Sequence, residues 1–245
     1  MSKRLKKSKN DKYEILLSNF LGNIENIEAF LKFHEEVLNI AREMCIFRKH
    51  FIRDKKKQKI FNKTISALRN PEKRSDLKPG YRELRKQAFI SIVCYFDAFL
   101  RDFCTEFINI NYHQIEDNEI RIKWNDLKKG DFKFENIVGE LYINCKGINF
   151  LDLKSIKRDF ALLGIKIDGI LTKTEEEDLV YYQNLRHIFI HKGGIVDNKF
   201  IDVLKGIKRY VNIKEGEKII INYNDIYHAK KITEKFAKKL KKLML

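Results

Sequence analysis

The sequence predicts an all-α protein, and three observations carry that expectation. Phe89, Val93, Phe96, Leu100, Phe103 and Phe107 repeat at alternating steps of four and three, the spacing that lays one apolar stripe along a long helix. Pro71 and Pro79 are the only prolines in 245 residues, and they bracket the one convincing break, Asn70 to Gly80. Strand-like sequence is confined to one short stretch between Tyr210 and Tyr223.

In chain order, Tyr13 to Arg42 reads as a packing helix. Leu17, Phe20, Leu21, Ile24, Ile27 and Leu31 fall at helical spacing, while Glu35, Glu36 and Arg42 keep the other side wet. Phe47 to Leu68 mixes apolar residues with the run Lys55-Lys56-Lys57, as a helix with a charged face or a hinge at Arg53-Asp54 would. These elements, residues 1–79, are expected to form an N-terminal helical arm, with residues 80–245 as the main bundle or the two as one continuous domain. After the central helix around Phe96, helices are expected between Phe134 and Cys145 and between Leu153 and Leu163. Asn144 to Asp152 and Asp168 to Thr174 read as loops. Glu175 to Phe189 reads as a helix stopped by Gly193-Gly194. Tyr210 to Ile213, the turn Lys214-Glu215-Gly216 and Glu217 to Tyr223 then read as a small β-hairpin, and Asn224 or Asp225 can cap a closing helix.

Ionisable residues are arranged for chemistry in one place. Arg186 and His187 are followed by Ile188-Phe189-Ile190, then His191 and Lys192, in the last turns before the glycine pair. Arginine offers a permanently charged fork that matches phosphate, and histidine exchanges a proton near neutral pH. On RNA such a pair needs no metal: a base that takes the 2′-hydroxyl proton turns the substrate's own oxygen into the nucleophile. His191 is the expected base or acid, Arg186 the group that neutralises the pentacoordinate phosphate, and His187 the positioning residue or second proton carrier. One ideal helix sets Arg186 and His191 roughly 140° apart in phase. Either the last turn unwinds, or two copies share a site. Asp97 and Arg101, four apart on the central helix, form either a local salt bridge or a support in which Asp97 orients Arg186 or His191 from a facing helix. The four-residue spacing of His187 and His191 also suits a shared metal, but no carboxylate or cysteine nearby offers a third ligand, so no metal is expected.

The order Arg186, a polar residue, three apolar residues, His191 and Gly-Gly resembles the signature of the HEPN superfamily, which runs Arg, four to six residues, His, with Asn, Asp or His usually following the Arg. The resemblance spans roughly residues 83 to 245, specific at the motif and loose elsewhere. It implies a helical bundle that dimerises with its motifs facing each other. It also implies a metal-independent, cofactor-free endoribonuclease that leaves 2′,3′-cyclic phosphate and 5′-hydroxyl ends. The setting implied is phage defence or a toxin–antitoxin pair, with an antitoxin or defence partner. Other relatives keep the bundle without the activity, so the alternative is a silent nucleic-acid-binding or dimerisation adaptor.

Charge and composition fit a polyanion partner. The net charge of +16 is concentrated: residues 1–12, 48–63 and 230–242 carry +5, +7 and +6. RNA, including tRNA, is the expected ligand, with Arg53, Lys55, Lys56, Lys57 and Lys192 as contacts. Cys45, Cys94, Cys104 and Cys145 fall singly, which suits buried packing in a reducing, cytoplasmic setting. The sequence has neither the roughly 18–20 apolar residues of a membrane span nor a signal-peptide core. It also lacks a phosphate-binding loop ending Gly-Lys-Ser/Thr and a Gly-x-Ser-x-Gly elbow.

Overall fold

A computed structural model describes residues 3–69, 78–114, 134–210 and 212–244. Among these the protein is all-α, with eight helices: α1 Lys3–His50, α2 Lys55–Arg69, α3 Lys78–Asn111, α4 Phe134–Lys146, α5 Leu153–Leu162, α6 Lys173–His191, α7 Asn198–Leu204 and α8 Tyr223–Lys242. The expected break at Asn70 to Gly80 lies largely outside the described residues; Gly80 itself belongs to the first turn of α3.

The stripe read in the sequence is the spine of the molecule. Phe89, Val93, Phe96, Leu100 and Phe103 are fully buried, and α1, α4, α6 and α8 pack around them. Aromatic rings make the junctions. Tyr13 and Phe20 of α1 meet Phe103 and Phe99 at 4.9 and 5.1 Å between centroids, Phe236 of α8 meets Phe96 edge-on at 5.3 Å, and Tyr182 of α6 meets Phe89 at 5.7 Å. Rings at these separations attract beyond the area they bury, by about 0.5–1.5 kcal/mol each. α4 comes closest: a Cβ on Gly139 would stand 2.1 Å from the carbonyl oxygen of Thr105 on α3, and the Gly139 N–H donates to Asn109 Oδ1 at 2.7 Å.

α1 is too long for the core to cover. At about 1.5 Å per residue its 48 residues span roughly 70 Å. Tyr13, Leu17, Phe20, Ile24 and Leu31 are buried in the common core, but none of residues 32–50 is. The hinge expected at Arg53-Asp54 forms. Asp54 Oδ1 accepts from the Lys56 and Lys57 N–H groups and caps α2, which folds back along α1.

α8 closes the bundle, and much of its basic character is used inside the protein. Lys230 pairs with Glu28 and Lys241 with Glu14 on α1, Lys235 with Glu175 on α6, and Lys239 donates to the Ile170 carbonyl. The cap lies two or three residues before the expected one: Asn222 accepts from the Asp225 N–H and Asp225 reciprocates, a capping box in place of a cap at Asn224 or Asp225.

The expected β-hairpin is not seen among the described residues. Val211 lies outside the described residues, and residues 216–219, which take in the start of the expected return strand Glu217 to Tyr223, pair with residues 194–196 through one antiparallel bridge, Ile195 to Lys218. The glycine pair after α6 turns the chain so that Gly194 O accepts from Ile219 N and Val196 N donates to Glu217 O. No described helix is long and apolar enough to cross a membrane.

Substituting Gly139 with Ala forces α3 and α4 apart against a backbone oxygen that cannot swing away. The expected loss is about 2–3 kcal/mol of unfolding free energy, despite the better helix propensity of alanine. Urea denaturation of the variant beside the parent protein measures it.

Candidate active site

The site is built at the end of α6. Thr172 and Glu175 form a capping box at its start. Against partial burial, Lys235 and Thr172 hold the Glu175 carboxyl down at about 2. At its other end the N–H groups of Lys192 and Gly194 both return to the Ile188 carbonyl, and Gly193 and Gly194 take φ of 62° and 85°. Only glycine fits at 194, since a Cβ there would stand 2.7 Å from the ring of Phe189, which itself packs against Phe89 of α3. The motif is therefore pinned from both directions.

Arg186 and the two histidines face different ways. Arg186 is half-buried against α3, its Nε donating to Cys94 Sγ at 3.3 Å and its Nη1 standing 3.4 Å from Asp97 Oδ2. His187 and His191 are exposed, one turn apart, with ring centroids 4.7 Å from each other. Partial burial first, then positive charge from His191, Lys199 and Arg186 against Asp197, lowers the His187 pKa from its usual value. That shift favours the neutral imidazole, the form that can accept a proton.

Asp97 is the most perturbed group in this region. Both carboxyl oxygens are buried without a hydrogen-bond partner among the described residues, and the Arg186 contact has ion-pair distance without hydrogen-bond geometry. Burial pushes the carboxyl up to about 7, with Arg186 pulling the other way. Arg101, one turn on, is exposed and donates to Asn144 Oδ1 on α4 at 3.0 Å. The structure thus brings Asp97 to Arg186 and turns Arg101 elsewhere.

A cleft of about 450 Å³ opens beside the motif. Its walls are Arg186 and His187 on α6, Asp152 and Lys154 at the start of α5, and Asp197 and Lys199 at the start of α7. Asp152 and Asp197 are held as N-caps, accepting from Ser155 N at 2.8 Å and Phe200 N at 2.9 Å. A second hollow of about 340 Å³ lies by Gly193, between Arg82 and Lys86 of α3 and Lys218. The Arg82 Nε is buried there without a hydrogen-bond partner among the described residues.

Of the expected RNA contacts, Lys192 caps α6 and is exposed beside His191. Arg53, Lys55, Lys56 and Lys57 sit exposed at the α1–α2 hinge, held by no ion pair among the described residues. Among the described residues no group of three metal-ligating side chains gathers. Sequence reasoning took Cys94 as inert packing and passed over Lys154, Asp197 and Lys199. The two aspartates lead helices α5 and α7 at N-cap positions, a signal the sequence did carry; the convergence of those helices on α6 is long-range and left no local trace.

The raised Asp97 pKa has a definite sign. The folded state holds this proton more tightly than the unfolded chain, so its stabilising contribution is present in full below the ordinary carboxylate range and is lost as pH rises through about 7. Between pH 6 and 8 the loss from this group is about 1.4 kcal/mol, or roughly 3–5 °C in melting temperature. Thermal melts across that range should show the fall in the parent protein, and a flatter curve in Asp97→Asn.

No family model, curated protein or solved structure matches this chain.

Proposed function

We propose that the protein is a metal-independent endoribonuclease of the HEPN type, acting on the RNA 2′-hydroxyl. One observation carries the reading: the Arg186-to-His191 segment ends a helix whose arginine is held by a buried acid while its two imidazoles stand exposed, His187 in the wall of a cleft. An imidazole removes the 2′-hydroxyl proton, the oxygen attacks phosphorus, and the bond to the 5′-oxygen breaks as a second imidazole returns a proton to it. Products are a 2′,3′-cyclic phosphate and a 5′-hydroxyl. Arg186 supplies the charge that stabilises the phosphorane, and protonation of Asp97 loosens its hold on the guanidinium.

In this reading two copies complete the site. Within one chain Arg186 turns inward to α3 and His191 outward, so a facing copy brings an imidazole from one chain to the guanidinium of the other. The bundle around α3 and α6, with residues 216–219 clamped to the motif turn, takes the place of the HEPN bundle and its closing hairpin. The free cations Arg53, Lys55, Lys56, Lys57 and Lys192 guide the RNA backbone, tRNA among the substrates. Phage defence, or a toxin held by an antitoxin chain, gives such an enzyme a cytoplasmic setting and a restraint.

A second reading is favoured by one fact: the Arg186 guanidinium is already engaged by Cys94 and Asp97. In an adaptor that binds RNA without cutting it, Arg186 is a packing strut and the histidines are surface residues.

Purified protein incubated with labelled tRNA and a structured RNA in EDTA separates the two. The enzyme reading expects cleavage with cyclic-phosphate ends, reduced at least about a hundredfold by Arg186→Ala or His191→Ala, as loss of an acid–base or oxyanion-type group does. RNA binding that is equal in all three proteins, with no cleavage, makes the protein an adaptor.

A further inference from the structure

The arm carries an unpartnered seam. Phe30, Phe33, Val37, Ile40, Met44, Phe47 and Phe51 follow one another at steps of three and four without exception, six in α1 and Phe51 just past its end. Every one is exposed, from 43% at Val37 to 72% at Phe51. The strict alternation is the a/d pattern of a coiled coil, sustained here over three heptads. α2 does not cover it. The half-buried positions of residues 32–50 are His34, Leu38, Ala41, Arg42, Cys45, Ile46 and Lys49, a stripe centred roughly 130° round the helix from the seam. One face of α1 is therefore spent on α2, and the other is open.

We propose that this seam pairs with the same seam of a second copy, in parallel and in register. Area and charge both select that occupant. At about 200 Å² for a large apolar residue, these exposures amount to roughly 800 Å² per copy, the share each partner contributes to a standard stable interface. A parallel pairing sets each residue flanking the seam against the one five further along in its partner, which brings Glu43 beside Arg48 of the other copy, twice by symmetry. An antiparallel pairing sets Glu43 against Glu36 or against Glu43 itself, acid against acid. With α2 of each copy alongside, the two arms make a four-helix bundle, and Ile60, exposed on α2, lies at its flank. The parallel arrangement also places two hinge segments, each with Arg53 and Lys55 to Lys57, at the same end, doubling the positive field there.

This pairing is separate from the shared catalytic site and does not rest on the ribonuclease reading, so Arg186→Ala leaves it intact. Sedimentation equilibrium at micromolar concentration should give twice the 29.3 kDa chain mass. Ile40→Glu with Phe47→Glu should return the mass to one chain while helical circular dichroism and melting temperature hold, since both side chains lie outside the core. Asn39→Glu, off the seam, should remain dimeric. For orientation, Met44→Cys in a Cys45→Ser, Cys145→Ser background should cross-link to itself on mild oxidation. A parent protein that sediments as one chain overturns the proposal, as does a dimer that both survives the double substitution and forms no cross-link through Met44→Cys; either leaves the seam to a different protein. A dimer lost with the double substitution but without the Met44→Cys cross-link overturns the parallel register.

Discussion

The structure depends on one helix being buried on several sides. α3 presents Phe89, Phe96, Phe99 and Phe103 to different neighbours, so each of α1, α6 and α8 is docked by a ring contact with the same spine. A helix of this kind cannot be shifted by a turn without breaking several junctions at once, because interiors are close-packed and rings at 5–6 Å tolerate little sliding. The consequence reaches the site directly. Cys94 and Asp97, which hold Arg186, lie within the same run as Phe89 and Phe103, so the position of the guanidinium is set by core packing and not by the surface. Phe89 also touches Phe189, and Phe189 occupies the space that Gly194 vacates. Core, motif and turn thus form one continuous chain of contacts.

Asp97 is the cost of that arrangement. A carboxyl with both oxygens buried and no hydrogen-bond partner among the described residues destabilises the fold whenever it is charged. A hydrophobic residue there would pack with less penalty, as replacements of buried ion pairs commonly do. What the acid provides is a titratable neighbour for Arg186, strongly held when ionised and weakly when protonated, in the pH range where a cell operates. Strained or destabilised groups concentrate where chemistry or switching happens.

Much of the fold was legible in the sequence because it rests on local pattern. The stripe from Phe89 to Phe107, the hinge at Arg53-Asp54, the helices near Phe134 and Leu153 and the glycine stop after His191 are each written within a few turns of chain. What was not legible is pairing across long separations. Residues 217–223 have strand-like composition, but which segment they meet depends on where the Gly193-Gly194 turn delivers residues 194–196. The basic segment 230–242 looked like a nucleic-acid surface until its lysines were set against Glu14, Glu28 and Glu175, which lie up to 227 residues away in sequence. At the candidate site, Arg186, His187 and His191 share one short segment and need no tertiary fold to bring them together. The facing of Asp97 toward Arg186 was open in the sequence, because helical phase fixes a residue's direction but not which helix lies opposite.

Those distant pairings bear on the order of assembly. α8 contributes Phe236 and Leu240 to a core it shares with α1 and α3, and its contacts with α1 close loops of about 200 residues. Loop closure over such lengths is slow relative to local helix pairing. The α1–α2 hairpin can form while the chain is still emerging, whereas the pairs Lys230–Glu28 and Lys241–Glu14 wait for α8. Until α8 docks, Phe96 of the spine lacks the ring that meets it edge-on, so the core stays open on one side through most of synthesis.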